Sequence, residues 1–482
     1  MRIIGNDQTK TRETSATASG TLPNGKPVVV NSDGTVSVVG ETSYTQNVGA
    51  ATVITTSSTN WPTSAYDPVA DRVVVFYRDN NNNNYGTAVV GTVSGTTISF
   101  GTPTVFKSSQ CNYNAATYDA ASGKIVVVYE DNANSSYGGA QVGTVSGSSI
   151  SFGGRVTFNP NGTTRHLAIT YDSTAQKVVV VYAWNTFFSA IVGTVSGNSI
   201  SFGSQAQIAQ SSNSYRYCDV TYDPTADKIV AVGSDLGQST RPEAFLGTVS
   251  GTSISFGTDV AINGNTSSSS NAITYDASIQ AVVVVYKTAS TTSRAEVGTI
   301  SGSTLTFNNN VTNWDTTGGY NFNLVYDSYA QKCVVFYQNG SNLDPYVVTL
   351  TGSGTNLTAG TPVQIDNRNQ DESAAVFDSG SNQVCLSWQN GQDTQHEAVM
   401  FRNSATVSNL TTENYIGISS GGAVDGQGVV INTQGTIDDN QTGLTAGQSY
   451  YVQKDGTLGT TADDPSVFAG TAVSATKLIV KG

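Results

Sequence analysis

The fold is decided by the stretch LAITYDSTAQKVVVVYAWNTFFSAIVGTVSGNSISFG at residues 167–203. It opens with an apolar alternation that ends in Tyr171-Asp172, continues through the β-branched run from Val178 to Tyr182 and a third segment, AIVGTV, and closes on SISFG. Short runs rich in Val, Ile, Thr and aromatics, with no helical period between them, read as strands. Asp172 follows the first strand, where its carboxylate can bond backbone amides two residues on and start a turn toward Lys177. Between the third and fourth segments, Ser196-Gly197 supplies a glycine that accepts positive φ. The spacing predicts a four-stranded antiparallel meander.

The same unit recurs. Aromatic-Asp pairs fall at Tyr66-Asp67, Tyr118-Asp119, Tyr171-Asp172, Tyr222-Asp223, Tyr275-Asp276, Tyr326-Asp327 and Phe377-Asp378, at intervals of 52, 53, 51, 53, 51 and 51 residues. A lone meander leaves two faces uncovered, and like neighbours arranged radially cover them. The array therefore predicts an all-β, seven-bladed β-propeller of four-stranded antiparallel blades; the rival, a linear stack, needs atypical repeats at both ends. The seventh unit lacks an SISFG-like segment after EAVMFR, whereas GAATVI at 49–54 resembles GTPTVF at 101–106. Residues 49–58 are thus expected to complete blade seven, with the propeller spanning 49–405.

Composition agrees. A chain of 482 residues is too long for one ordinary domain unless it is repetitive, and only 12% charged residues beside 49 glycines exclude a largely helical protein. A net charge of −13 with no Lys/Arg cluster argues against nucleic acid as a partner. No apolar run reaches the ~20 residues of a membrane helix, so no membrane insertion is expected. The opening MRIIGNDQTK lacks the apolar stretch of a secretion signal, which predicts a product made soluble in the cytoplasm. Cys111, Cys218, Cys333 and Cys385 are scattered and only two histidines occur, so no metal site, disulfide framework or cofactor is expected.

Outside the ring, residues 22–36 and 444–458 match without a gap as L-x-x-G-x-x-strand-turn-strand, with Asp33-Gly34 and Asp455-Gly456 as hairpin turns. Closing a ring brings its ends together, so the flanks 1–48 and 406–482 are expected to share one small β domain. Arg2 to Gly20 is polar and without periodicity, which reads as an arm that is disordered or orders on a partner. NYIGI at 414–418, GLTAGQSYYV at 443–452, GTA at 470–472 and KLIV at 477–480 together resemble a small module of virion structural proteins of tailed bacteriophages, including phages of marine cyanobacteria. LPNGKPVVV at 22–30 and SDGTV at 32–36 are similar to segments of the same proteins. The resemblance covers about a quarter of the chain, in the flanks. It implies a non-enzymatic tail fibre or tail-associated protein on the outside of the virion, attached to other virion proteins through its termini and homo-oligomeric as fibres are. A capsid decoration or tail scaffold protein, with the propeller as spacer, is the alternative it leaves.

In a four-stranded blade, loops 1–2 and 3–4 emerge on one side and the remaining loops on the other. The first side carries the uniform Asp and Ser-Gly turns; the second varies from unit to unit and holds the candidate recognition residues Tyr113, Arg165, His166, Trp184, Phe187, Phe188, Tyr215, Arg216, Tyr320, Phe322 and His396. Aromatic rings beside amides and arginines suit a host-surface glycan or protein, because sugar faces stack on rings while hydroxyls take hydrogen bonds. The competing reading is that aromatics at strand ends only plug the space between blades. A glycan-degrading enzyme would need two carboxylates across the scissile bond. Glu130, Asp131, Asp219, Asp235, Glu243, Glu296, Asp371, Glu372 and Glu397 are available, but no spacing pairs any two. The S-x-D-x-G-x-T-W box of sialidase propellers and an H-E-x-x-H helix are both absent.

Overall fold

A computed structural model describes residues 12–238, 240–262, 268–288, 291–308 and 310–481. It is all-β and of β-propeller type; among the described residues the helical pieces are two single 3-10 turns, Asn132–Asn134 and Leu236–Gln238. No helix is long and apolar enough to cross a membrane among the described residues. The chain divides into two compact units, Gln46–Asn403 and the two flanks that precede and follow it, close to the boundaries at 49 and 405 expected from the repeat.

Each aromatic-Asp unit forms an antiparallel meander. In residues 164–210, Thr164–Asp172 pairs with Lys177–Trp184, which pairs with Phe187–Ser196. The fourth strand is broken. Ser199–Phe202 lies on the end of the third strand, and its continuation Ala206–Gln210 lies on the start. The second strand is covered on both faces, with Val178 to Tyr182 fully buried, which is why it reads as an unbroken β-branched run rather than an alternation. All four cysteines are buried and free, Cys333 and Cys385 in such second strands and Cys111 and Cys218 in first strands, as small apolar side chains.

The first strands stand side by side in chain order, from Thr59–Asp67 through Thr104–Asp119, Thr164–Asp172, Tyr215–Asp223, Ser268–Asp276 and Tyr320–Asp327 to Gln370–Asp378, and this last one packs against the first. The closing strand also comes from the far end. Asn47–Val48 pairs with Phe401 and Arg402, and Thr52–Thr55 pairs with His396, Glu397 and Ala398. The break between these pieces, near Gly49, matches the broken fourth strand of the other units.

The repeated residues have local causes. Asp Oδ1 accepts the amides of the turn behind it, as Asp67 does from Val69 and Ala70 at 3.0 Å and Asp223 from Thr225 and Ala226 at 2.9 Å. The Ser-Gly turns place Gly95, Gly147, Gly197, Gly251, Gly302 and Gly354 at φ near +60°. The Tyr of the pair fastens its unit to the preceding turn: Tyr171 Oη accepts the Ala121 amide at 3.1 Å, and Tyr222 and Tyr275 Oη meet Thr174 and Thr225 Oγ1 at 2.7 and 2.6 Å. Tyr66 Oη makes the same bond across the closure, accepting from the Gly380 amide at 3.0 Å while donating to Asp71 Oδ1 at 2.8 Å. Tyr66→Phe is therefore expected to lower unfolding stability by about 1 kcal/mol in urea titration, with no effect counting against this fastening.

The flanking unit contains two five-stranded sheets, besides the pair Glu41–Tyr44 with Ala405–Ser408. One runs Glu13–Thr17, Gly428–Asn432, Tyr415–Ser420, Pro27–Val30, Val36–Val38; the other runs Ile437–Asp438, Lys477–Val480, Val467–Ser474, Ser449–Val452, Leu458–Gly459. Val29, Ile418, Leu444, Val452, Ala469 and Leu478 share one core. The sequence echo is structural: Asp33 Oδ1 accepts the amide and hydroxyl of Thr35 at 2.9 and 2.6 Å, and Asp455 does the same to Thr457 at 2.8 and 2.6 Å. The expectation of an irregular arm from Arg2 to Gly20 is corrected over residues 13–17, whose strand is held by register with Gly428–Asn432 rather than by any periodicity of its own. Residues 2–11 lie outside the described residues.

Candidate functional site

The first strands enclose a channel. One residue of each repeat lines it at the same level: Ser64, Ala116, Ile169, Val220, Ile273, Leu324 and Ala375, around a cavity of about 550 Å³. Just before this level every first strand slips register against its second strand, between Asn60 and Thr63, Asn112 and Ala115, Arg165 and Ala168, Arg216 and Asp219, Ser268 and Asn271, Tyr320 and Asn323, and Gln370 and Ser373. The slip is a β-bulge, which re-aims the extra side chain. The bulged residue, five before the aromatic of the pair, is Trp61, Tyr113, His166, Tyr217, Ser270, Asn321 and Glu372 in turn.

Five of these seven have left-handed backbone: Trp61 at φ 54°, Tyr113 and His166 at 49°, Tyr217 and Asn321 at 51°. Bulky residues there cost of order 1 kcal/mol each, and glycine or asparagine would hold the same bulge more cheaply. Four successive units nonetheless place an aromatic side chain at this position. They form one arc: Trp61 and Tyr113 centroids are 4.1 Å apart, Tyr113 and His166 4.8 Å, His166 and Tyr217 6.2 Å. Asn321 and Glu372 face them across a cavity of about 240 Å³ at the channel mouth.

The polar groups of the mouth are partly committed. Glu372 Oε2 accepts the backbone amide of Trp61, which joins the last unit to the first. Burial raises the Glu372 carboxyl, opposed by that amide. Burial, together with Arg216 and Arg165, lowers His166 to about 4, so its ring is neutral at pH 7 and serves as a flat surface with one donor and one acceptor. Trp61 Nε1 and Asn114 Oδ1 are buried at the mouth with no hydrogen-bond partner among the described residues. Tyr113 and His166 also border a second, outer cleft of about 600 Å³ with Arg165, Asn185, Asn213 and Arg216.

Of the residues expected to form a recognition face, Tyr113, His166, Arg165 and Arg216 lie together here, and Phe322, although buried, lines the mouth. Tyr320 is exposed elsewhere, with Lys287 Nζ 3.3 Å from its ring centroid. Trp184 and Phe187 stack on each other at 5.2 Å at a strand end. Three placements are corrected. Phe188 and Tyr215 stack at 5.4 Å between neighbouring units, the Tyr215 hydroxyl donating to Glu243 at 2.9 Å. His396 is fully buried, with Nδ1 3.2 Å from Thr59 Oγ1 and its ring edge-on to Tyr77. All three sit on strands that run further than their apolar pattern indicates, so alternation turns them inward. Tyr217 and Asn321 were missed, and Trp61 and Glu372 were not separated from their neighbours; counting five back from each pair would have found all four.

Several of the carboxylates are occupied by partners of their own. Asp131 is fully buried between Lys107, at 3.0 Å, and Arg155; Glu397 pairs with Arg368 at 2.7 Å; Glu243 pairs with Arg241. Asp235 accepts from Ser211 and the Gly237 amide, and Glu296 from Tyr286. No group of three His, Cys, Asp or Glu side chains that could hold a metal ion occurs among the described residues.

No protein-family model and no curated protein matches the chain. Among solved structures it is similar to a triple arginine mutant of AofleA from Arthrobotrys oligospora, at 10% identity and TM-score 0.41, covering 66% of this chain and 88% of that one. It is also similar to the NanB sialidase of Streptococcus pneumoniae, at 11% identity and TM-score 0.41, covering 73% of this chain and 69% of that one.

Proposed function

We propose that the chain is a seven-bladed β-propeller that works as a non-enzymatic binding protein of a tailed-phage particle, with the channel mouth and its outer cleft meeting a host-surface glycan or protein. The observation that carries the binding role is the arc of Trp61, Tyr113, His166 and Tyr217, four rings held in a costly backbone conformation around a mouth that also presents Asn321 and Glu372. Rings stack on sugar faces, and the amide and carboxylate take hydroxyls. The pairing of Asp131, Glu243 and Glu397 with basic side chains supports binding without chemistry. The particle role rests on the flank motifs, whose unit would attach to other virion proteins on the tail or capsid exterior. Many copies, each a homo-oligomer, would turn weak contacts into avidity.

A bacterial-surface glycan array tests the reading. The full chain is expected to retain a restricted set of glycans, and Tyr113→Asn, which suits the left-handed backbone, is expected to lose them while staying folded by circular dichroism. Retention undiminished in that variant would contradict the site. Gold labelling confined to capsid faces would replace the tail-adhesin role with decoration.

A further inference from the structure

The outer cleft says what kind of sugar the mouth takes, and the inference rests on the binding role proposed above. The residue preceding each bulged residue also varies round the ring: Asn60, Asn112, Arg165, Arg216, Ser269, Tyr320 and Asp371. Two arginines therefore stand on adjacent units, on the side of the mouth occupied by His166 and Tyr217, while Asp371 and Glu372 stand on another. Arg165 is 60% exposed and its nearest carboxylate, Glu130, is 3.9 Å away and already accepts from Asn112 at 2.9 Å. Arg216 is exposed and makes no ion pair among the described residues. Other arginines of this chain of net charge −13 are tied down, as Arg241 and Arg368 are by two and three carboxylates. Asn185 and Asn213 add amide groups to the same cleft, and no carboxylate lines it.

We infer that the site binds an acidic sugar, a pyranose carrying an anionic group. The sugar ring stacks on the Tyr113–His166 section of the arc, which borders both the mouth and the cleft, and the anionic group enters the cleft between Arg165 and Arg216. A guanidinium presents paired donors that match a carboxylate or a sulfate ester, and two of them in one cleft make a neutral sugar a poor substitute. Asp371 and Glu372 repel the same group, so the charge distribution fixes which way round the ligand lies.

The test is a fluorescence titration of the full chain with three oligosaccharides of equal length: an oligogalacturonide, its carboxyl-reduced neutral counterpart, and a sulfated galactan oligomer. An anionic oligomer is expected to bind about tenfold more tightly than the neutral one, and high salt is expected to erode this preference. The double variant Arg165→Gln/Arg216→Gln is expected to bring the ratio close to one, and the winning anion identifies carboxylate or sulfate. Equal binding of anionic and neutral oligomers, or a preference that survives the double variant, overturns the acidic-sugar inference and leaves the mouth as a neutral-sugar site. Binding of none of the three also overturns it, and the Tyr113→Asn array comparison then decides separately whether the mouth binds anything.

Discussion

Gly153→Ala is expected to cost about 3 kcal/mol or more in unfolding stability, or to prevent folding, whereas Gly154→Ala beside it is expected to change stability by less than about 0.5 kcal/mol. A Cβ on Gly153 would overlap the backbone carbonyl of Asn198 in the turn of the next unit, and backbone on both sides leaves little room to give. A Cβ on Gly154 meets nothing within 4 Å. Neither glycine has a positive φ, so the difference between the neighbours is steric. Gly203 meets the Thr252 carbonyl in the same way, and Gly49 meets that of Thr96. Gly49 therefore carries the inter-unit contact across the closure, and Gly49→Ala is expected to behave like Gly153→Ala. Thermal melts of the three variants check the whole set; a tolerated alanine at 153 would contradict the packing of each unit on the next.

The second large effect is on acid stability. Burial lowers His396 from 6.5 to about 3. The unfolded chain therefore takes up a proton at this residue as pH falls through 6.5, and the folded chain does not do so until about 3, so stability is lost across that window. Between pH 7 and pH 4 this amounts to about 3 kcal/mol. Buried carboxyls act in the opposite direction: Asp219, raised to about 6 by burial, binds its proton more readily folded than unfolded and favours the folded state as pH falls. A comparison of variants isolates the histidine. In urea titrations, the stability lost between pH 7 and pH 4 is expected to be smaller in His396→Gln than in the parent by about 3 kcal/mol, although the variant is less stable at pH 7 for want of its Thr59 bond. Equal losses in both would place His396 in water.

The repeat was legible because its cues are short-range and chemical. An Asp that bonds amides two or three residues ahead, and in six units a Gly at φ near +60°, look alike from copy to copy and need no tertiary context. The closing segment was legible by likeness to strand-four material, although its pieces are 47–48 and 52–55 rather than one run over 49–58. The site was only half legible. Tyr113, Arg165, His166 and Arg216 stood out by residue type, but a bulge shifts the side-chain period by one, so alternation could not separate Trp61 and Tyr217 at the mouth from Tyr215 in the core. Phe188 and His396 failed for a related reason, since third strands that start early carry aromatic residues inward from what reads as loop.

The proposed binding site is the channel mouth rather than the outlying aromatics. Its most direct test is a titration of the glycan retained most strongly by the wild-type chain against Trp61→Asn, Tyr113→Asn and Trp184→Ala. Losing a stacked ring is expected to weaken affinity about 10- to 100-fold in each of the two mouth variants, with Trp184→Ala binding as the parent does. Parental affinity in both mouth variants, or loss only in Trp184→Ala, would contradict it.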